Sequence, residues 1–576
     1  MAPPRGKRRS QDDFATRFRV WRASAGIQPA EFARTPEPRS IGSAGIGRQI
    51  CDGKLRVGGK QLRITDGPWD HGPMALPAEA DRHGFMWLDD LAAVGTKRAR
   101  ELACTWLVQW LDRYATGRGA GWRPHVAGRR LVRWVHHGTM LLDGMTPVQS
   151  VRFRRSLAVH VAYLARHWRN APPGLPTFAA LCGVIEGGLA LNAMERRVRP
   201  GIVALEKLCA EGIAEDGSIA SRNPEDLLDL FELLVWCDMA MVDAGLVAQP
   251  GHRAAIMRIA PLLRALRQAD GALARFHGGN RGVEGRLDSA LAAARARGIS
   301  KELLSMGYAR LARGRATVIL DGASPPTGPF AATAHASPLA FEMTVGRRPL
   351  VVNCGSGTTF GADWLKAARA TPAHSALTPD GASAGQLKLA RRNRIVLMAG
   401  ADDVRVEPDP DRGPAALSAA HNAFGRTHGL IHVRRLDLGD DGAVLTGEDR
   451  LTSITEAERA QFDRILRQRG SKGIGFTIRF HLHPDVTSSI NEDGLSVSLM
   501  LKSGELWQFQ HASNARISLD PSVYLEKTRP KPTPTRQIVL EAAAQDYGTT
   551  IRWSFSRLQS DRGQTRDFYR DDMSIT

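Results

Sequence analysis

The sequence predicts an α+β chain of two large domains, helical first and antiparallel β second. Three observations carry this. The length, 576 residues, exceeds what one hydrophobic core serves. Apolar residues recur every three to four positions from about residue 80 to 315, and every second position beyond it. The 43% hydrophobic content is ample for two packed cores and excludes a mostly disordered chain.

Residues 1–79 read as a basic, partly irregular arm. Residues 1–50 hold ten Lys/Arg against four Asp/Glu, a net of +6. No apolar segment of about 7–15 residues follows those charges, as a secretory signal would require. Over 80–315, ARELACTWLVQWLDRYA places Ala103, Trp106, Leu107, Trp110, Leu111 and Tyr114 on one helical face. Similar stretches follow, from RRLVRWVHHGTMLL to GRLDSALAAARARG, with Gly, Pro or Asp at the boundaries. Such a series suggests antiparallel helical hairpins stacked in a curved or ring-like array.

Residues 316–576 change period. In FTIRFHLHPDV, Phe476, Ile478, Phe480 and Leu482 point one way, and Thr477, Arg479, His481 and His483 the other. In LSVSLMLKSG, Leu495, Val497, Leu499 and Leu501 share a face. With RATVILDG, RQIVLEAA and TTIRWSFSRL, these short strands and their Gly, Asp and Asn turns indicate an antiparallel sandwich.

The formal charge is +19, from 78 Lys/Arg and 59 Asp/Glu, which makes an anionic partner plausible without specifying a fold. No helix-turn-helix, RNP-like strand or interleaved aromatic pattern supports specific nucleic-acid binding. No apolar run has the length of a membrane span; the nearest, FAALCGVIEGGLALNAM, is broken by Glu186. Six widely spaced cysteines form no CxxC pair and read as buried structural thiols. A cytoplasmic location is expected.

In the β half, TAHASPLAFEMTVGRRPLVVNCGSG (333–357), RATPAHSALTPDG (369–381), GLIHVRRLDL, LTGEDRL, RFHLHPDV and GELWQFQ together resemble the heparinase II/III family of polysaccharide lyases. The resemblance implies an N-terminal (α/α) toroid before the sandwich. It also implies β-elimination on a uronic acid-containing glycan, and many members of that family are periplasmic. Elimination needs a group to neutralise the uronate, a base for the C5 proton and an acid for the leaving oxygen.

Judged by that family's pattern, the segment HxHxDxxSF reads here from Thr333 through His335 and Ser337 to Phe341, so the first His and the Asp are replaced. His335, Asn353 and His374 fall at the positions of a two-His, one-carboxylate metal set, which implies a zinc site with Asn353 in place of the acid. The alternative is two imidazoles hydrogen-bonding across strands. The family's Arg-Ser-Pro-x-Tyr-His stretch corresponds to Arg222, Asn223, Pro224, Glu225, Asp226 and Leu227, so Asp226 replaces the Tyr. His335 and Asn223 are the candidate catalytic residues. Asn223 before Pro224 fits a helix N-cap equally. Arg222, Asn280, Arg281, Arg369, Arg479 and His481 are the candidate substrate-binding residues. Two functions stand side by side: an acidic-glycan lyase, and a catalytically inactive protein binding an acidic glycan or envelope precursor.

Overall fold

The computed structural model describes residues 5–559, apart from 73, 301, 391–393, 399, 470–471 and 513. The helical half is built from Lys97–Tyr114, Pro124–His136, Pro147–His167, Leu175–Leu189, Glu195–Gly212, Pro224–Asp243 and Pro250–Ala265, closed by Arg286–Ala294. Pro stands in the first turn of five of them, where a missing N–H costs nothing. Thr146 and Gln149 form a reciprocal capping box before Pro147–His167.

The N-terminal arm is more ordered than its sequence suggests. Helices Arg5–Ser24 and Ala44–Cys51 and the hairpin Lys54–Val57/Lys60–Arg63 precede Leu76–His83 and Met86–Val94. Val20, Ala23, Ile50 and Leu55 belong to the toroid's own core. These apolar residues are too scattered to give a readable period, so the arm looks irregular in sequence. The hairpin turns at Gly58 and Gly59, with φ of 53° and 77°. A Cβ on Gly59 would lie 1.8 Å from the Thr359 carbonyl, so only glycine lets this arm touch the β half.

Tryptophans dominate the first core. Trp106, Trp110, Trp122 and Trp134 are each at most 1% exposed. Arg130 lies fully buried among them, its Cζ 4.1 Å from the Trp110 ring centre. Its Nη1 donates to the carbonyls of His83 (2.9 Å) and Gly121 (2.8 Å), so dipoles and rings stabilise the charge, with no carboxylate in ion-pair range among the described residues.

The β half is a two-sheet antiparallel sandwich. One eight-stranded sheet runs, in spatial order, Val404–Pro408, Ala416–His421, Ile431–Leu438, Val444–Thr452, Gly548–Gln559, Leu506–His511, Ser496–Met500 and Thr487–Ile490. The other runs Arg516–Tyr524, Thr533–Ala544, Ile474–Leu482, Arg348–Val352, Phe341–Val345, Ala316–Asp321, Tyr308–Arg313 and Leu304–Ser305. The sheet thus begins a dozen residues before the change of period read near 316. Phe476, Ile478, Phe480 and Leu482 all face the core. So do Val497, Leu499 and Leu501, but Leu495 lies just outside its strand and is exposed. Helix Glu456–Arg469 interrupts the β half and buries little besides Phe462, too sparse a stripe to stand out among strands.

Candidate functional site at the domain junction

The site grows from chain reversals where the two halves meet. Strand Ala316–Asp321 ends on Asp321, and helix Pro224–Asp243 starts opposite it after Arg222 and Asn223. Arg222 adopts the left-handed region, φ 48°. Its guanidinium donates to the carbonyls of Met306, Gly307, Ala323 and Ser324 and to Asp321 Oδ1 at 2.5 Å. Asp321 Oδ2 accepts from Ser337 Oγ at 2.7 Å and lies 3.6 Å from His277 Nε2.

His335 is the centre of the cluster. Its backbone N–H donates to His277 Nδ1 (3.1 Å), and its Nδ1 lies 3.1 Å from His374 Nε2. The His374 Nδ1 faces the Ala370 carbonyl at 2.9 Å and must donate to it, so Nε2 accepts and His335 Nδ1 carries the shared proton. Burial holds both rings neutral, pushing His374 down to about 4 and His335 well below its ordinary range. Asn353 Oδ1 accepts from the Ser375 N–H at 3.0 Å, while its buried Nδ2 has no hydrogen-bond partner among the described residues. His481 joins through its backbone N–H to Ser375 Oγ (3.0 Å), and its ring bridges Ser522 Oγ and the Pro372 carbonyl.

The structure therefore brings His335, His374, Asn353 and His481 together, with Arg222 and Asn223 on the facing helix start. The donors do not fit zinc. The two imidazoles are hydrogen-bonded to each other, the Asn353 oxygen is spent on a backbone N–H, and its free atom is an amide nitrogen that cannot ligate. Among the described residues no three His, Cys, Asp or Glu side chains converge as a metal set.

The expected substrate-binding residues are engaged within the chain. Arg369 is buried and donates to the carbonyls of Ala331, Ala334 and Ile395. Arg281 pairs with Asp270 at 2.6 Å, and Arg479 donates to Thr378 and Thr477. Asn280 Nδ2 donates to Glu225, which also takes Lys527 Nζ at 2.8 Å. Asn223 Oδ1 accepts the N–H groups of Glu225 (2.9 Å) and Asp226 (3.4 Å), the N-cap role. His277, Asp321 and Ser337 went unrecognised as site residues in the sequence. His277 stands beside Asn280 in FHGGNRG, but its partner is 58 residues away.

Asp226, at the family's Tyr position, has a carboxyl pushed up to about 6 by burial and by the neighbouring Asp229 and Glu225. The folded state thus bears the cost of an ionised Asp226 above about pH 6 and none below about pH 4. Asp226→Asn is expected to stabilise the chain by about 1–3 kcal/mol at pH 8 and by nothing at pH 4. Urea denaturation at both pH values checks this; equal effects at both would contradict the ionisation account.

A helical toroid followed by an antiparallel sandwich is the architecture of the heparinase-type fold. Residues 295–554 match the family model "Heparinase II/III-like, C-terminal". The chain carries that domain and has the heparinase II/III-family fold throughout. It is similar to the solved structure of a heparinase III at 12% identity and TM-score 0.63, covering 95% of this chain and 90% of that one. The heparan sulfate lyase HepC from Pedobacter heparinus superposes at 13% identity and TM-score 0.55, covering 95% and 88%. These likenesses establish fold. In sequence, FtsZ-localized protein C of Caulobacter vibrioides is 29% identical over 539 residues, 92% of this chain and 90% of that protein.

Proposed function

We propose that this chain binds an acidic glycan or envelope precursor on a polysaccharide-lyase scaffold that no longer eliminates. The observation carrying this reading is the fate of the proton-transfer positions. Thr333 and Asp226 stand where the family pattern has His and Tyr. The remaining His335 is buried, tied to His374 and held at low basicity, so it is a poor base for a uronate C5 proton. Asp226 puts a carboxylate in place of a phenol at the Tyr position, a far weaker base than a tyrosinate for that proton. The positive charge of the chain supports an acidic ligand. Calorimetric titration with heparan sulfate, hyaluronan and alginate oligosaccharides tests binding, with neutral dextran as the control. Heat with the uronates alone is expected, and no heat with any of them would overturn the proposal.

The similarity to FtsZ-localized protein C along nine-tenths of both chains favours a second element. We infer that this chain also localises with FtsZ. A fluorescent fusion in its native host is expected to coincide with labelled FtsZ; a diffuse signal would contradict this.

A further inference from the structure

A second polar feature lies at the other end of the strands that carry Asp321 and Asn353. There two adjacent hairpin turns lie side by side. Arg313-Gly314-Arg315 links Tyr308–Arg313 to Ala316–Asp321, and Gly346-Arg347 links Phe341–Val345 to Arg348–Val352. The Gly346 N–H donates to the Arg315 carbonyl at 2.7 Å and locks the turns together. With Arg310 they surround an open bowl of about 420 Å³ containing Arg310, Arg313, Arg315 and Arg347.

Its charge is poorly compensated. Arg315 and Arg313 reach Glu505 and Asp440 only at 3.5 and 3.8 Å. Among the described residues, neither Arg310 nor Arg347 has a carboxylate in ion-pair range. The buried Arg313 Nε has no hydrogen-bond partner among the described residues. Arg310 spends its donors on the Ala265 and Arg267 carbonyls and on Thr317, and burial and the Arg267 charge both work against it. An arriving anion relieves that repulsion. Planar guanidinium forks suit carboxylates in pairs.

The rest of the lining is Ala, Gly and Thr, with no aromatic ring among the lining residues. Sugars and bases lack a stacking platform there, and a bilayer lacks an apolar anchor, whereas small side chains let an extended backbone approach closely. We propose that this bowl docks an acidic peptide segment of a partner protein.

The test is fluorescence anisotropy of the full chain with a fluorescein-labelled polyglutamate peptide and its polyglutamine counterpart. The glutamate peptide is expected to bind and the glutamine peptide not. Arg313→Glu with Arg347→Glu should weaken binding by ~10-fold or more, and exposed Arg347→Gln alone by about 3-fold. Arg516→Glu with Arg536→Glu, the same charge change on the two strands at the far side of that sheet, should leave binding within about 2-fold. Equal loss in both double variants would overturn the site in favour of the general field of the chain. Binding of heparin oligosaccharide or anionic vesicles through Arg313 and Arg347, without peptide binding, would overturn the peptide assignment.

Discussion

Arg222→Ala is expected to lower the stability of the folded chain by about 3–5 kcal/mol. The substitution strands the buried Asp321 carboxylate and leaves the carbonyls of Met306, Gly307, Ala323 and Ser324 without their donor. Tyr308, which donates to the Arg222 carbonyl and stacks 4.8 Å from the guanidinium, loses its neighbour as well. Arg222→Lys should recover little, because one ammonium cannot replace a planar fork that serves five acceptors. Guanidinium denaturation followed by tryptophan fluorescence measures the loss. A residue that served only to hold substrate would show the opposite pattern, with stability unchanged and ligand affinity reduced.

Asp449→Asn is expected to have an effect of similar size, about 3–5 kcal/mol. Asp449 accepts from both Nε (2.7 Å) and Nη2 (3.0 Å) of Arg434, faces His432 Nε2 at 2.7 Å and accepts from Trp553 Nε1 at 2.8 Å, all buried between the two sheets. Arg434 in turn donates to the carbonyls of Leu339 and Ser375, fixing the loop whose Ser375 N–H holds Asn353. These partners hold the Asp449 carboxyl far below the usual carboxylate range, against the upward push of burial. Its contribution is therefore complete above about pH 4 and lost as pH falls through the depressed folded-state value. The variant should flatten the acid limb of the stability curve. The double change Arg434→Met with Asp449→Leu should cost less than Asp449→Asn alone, since it removes the stranded charge together with its partner. A double variant less stable than the single would contradict this.

The halves were legible because each obeys one period over long stretches, as Phe476 to Leu482 and Ala103 to Tyr114 demonstrate. The arm was not, since Val20, Ile50 and Leu55 reach the core from separate short elements. At the site, the retained positions His335, His374 and Asn353 could be located along the chain and do meet in space. What the sequence concealed was partnership. Arg222, Arg369 and Arg281 have the composition of an anion-binding set, yet their acceptors are Asp321, backbone carbonyls and Asp270, and only the fold chooses between ligand and scaffold. His277 was hidden for the same reason, since its partners His335 and Asp321 are brought to it by the sandwich. Asn223, weighed as catalyst or helix cap, spends its oxygen as a cap.

We propose that the lyase fold persists in this chain without its elimination chemistry. The most direct test incubates the purified chain with heparan sulfate, hyaluronan and alginate and follows the ultraviolet absorbance of unsaturated uronate products. Calorimetric heat of binding is recorded on the same samples. Binding heat with no rise in absorbance is the predicted result. Accumulation of unsaturated product, abolished by His335→Ala, would contradict the account and return this chain to the active lyases.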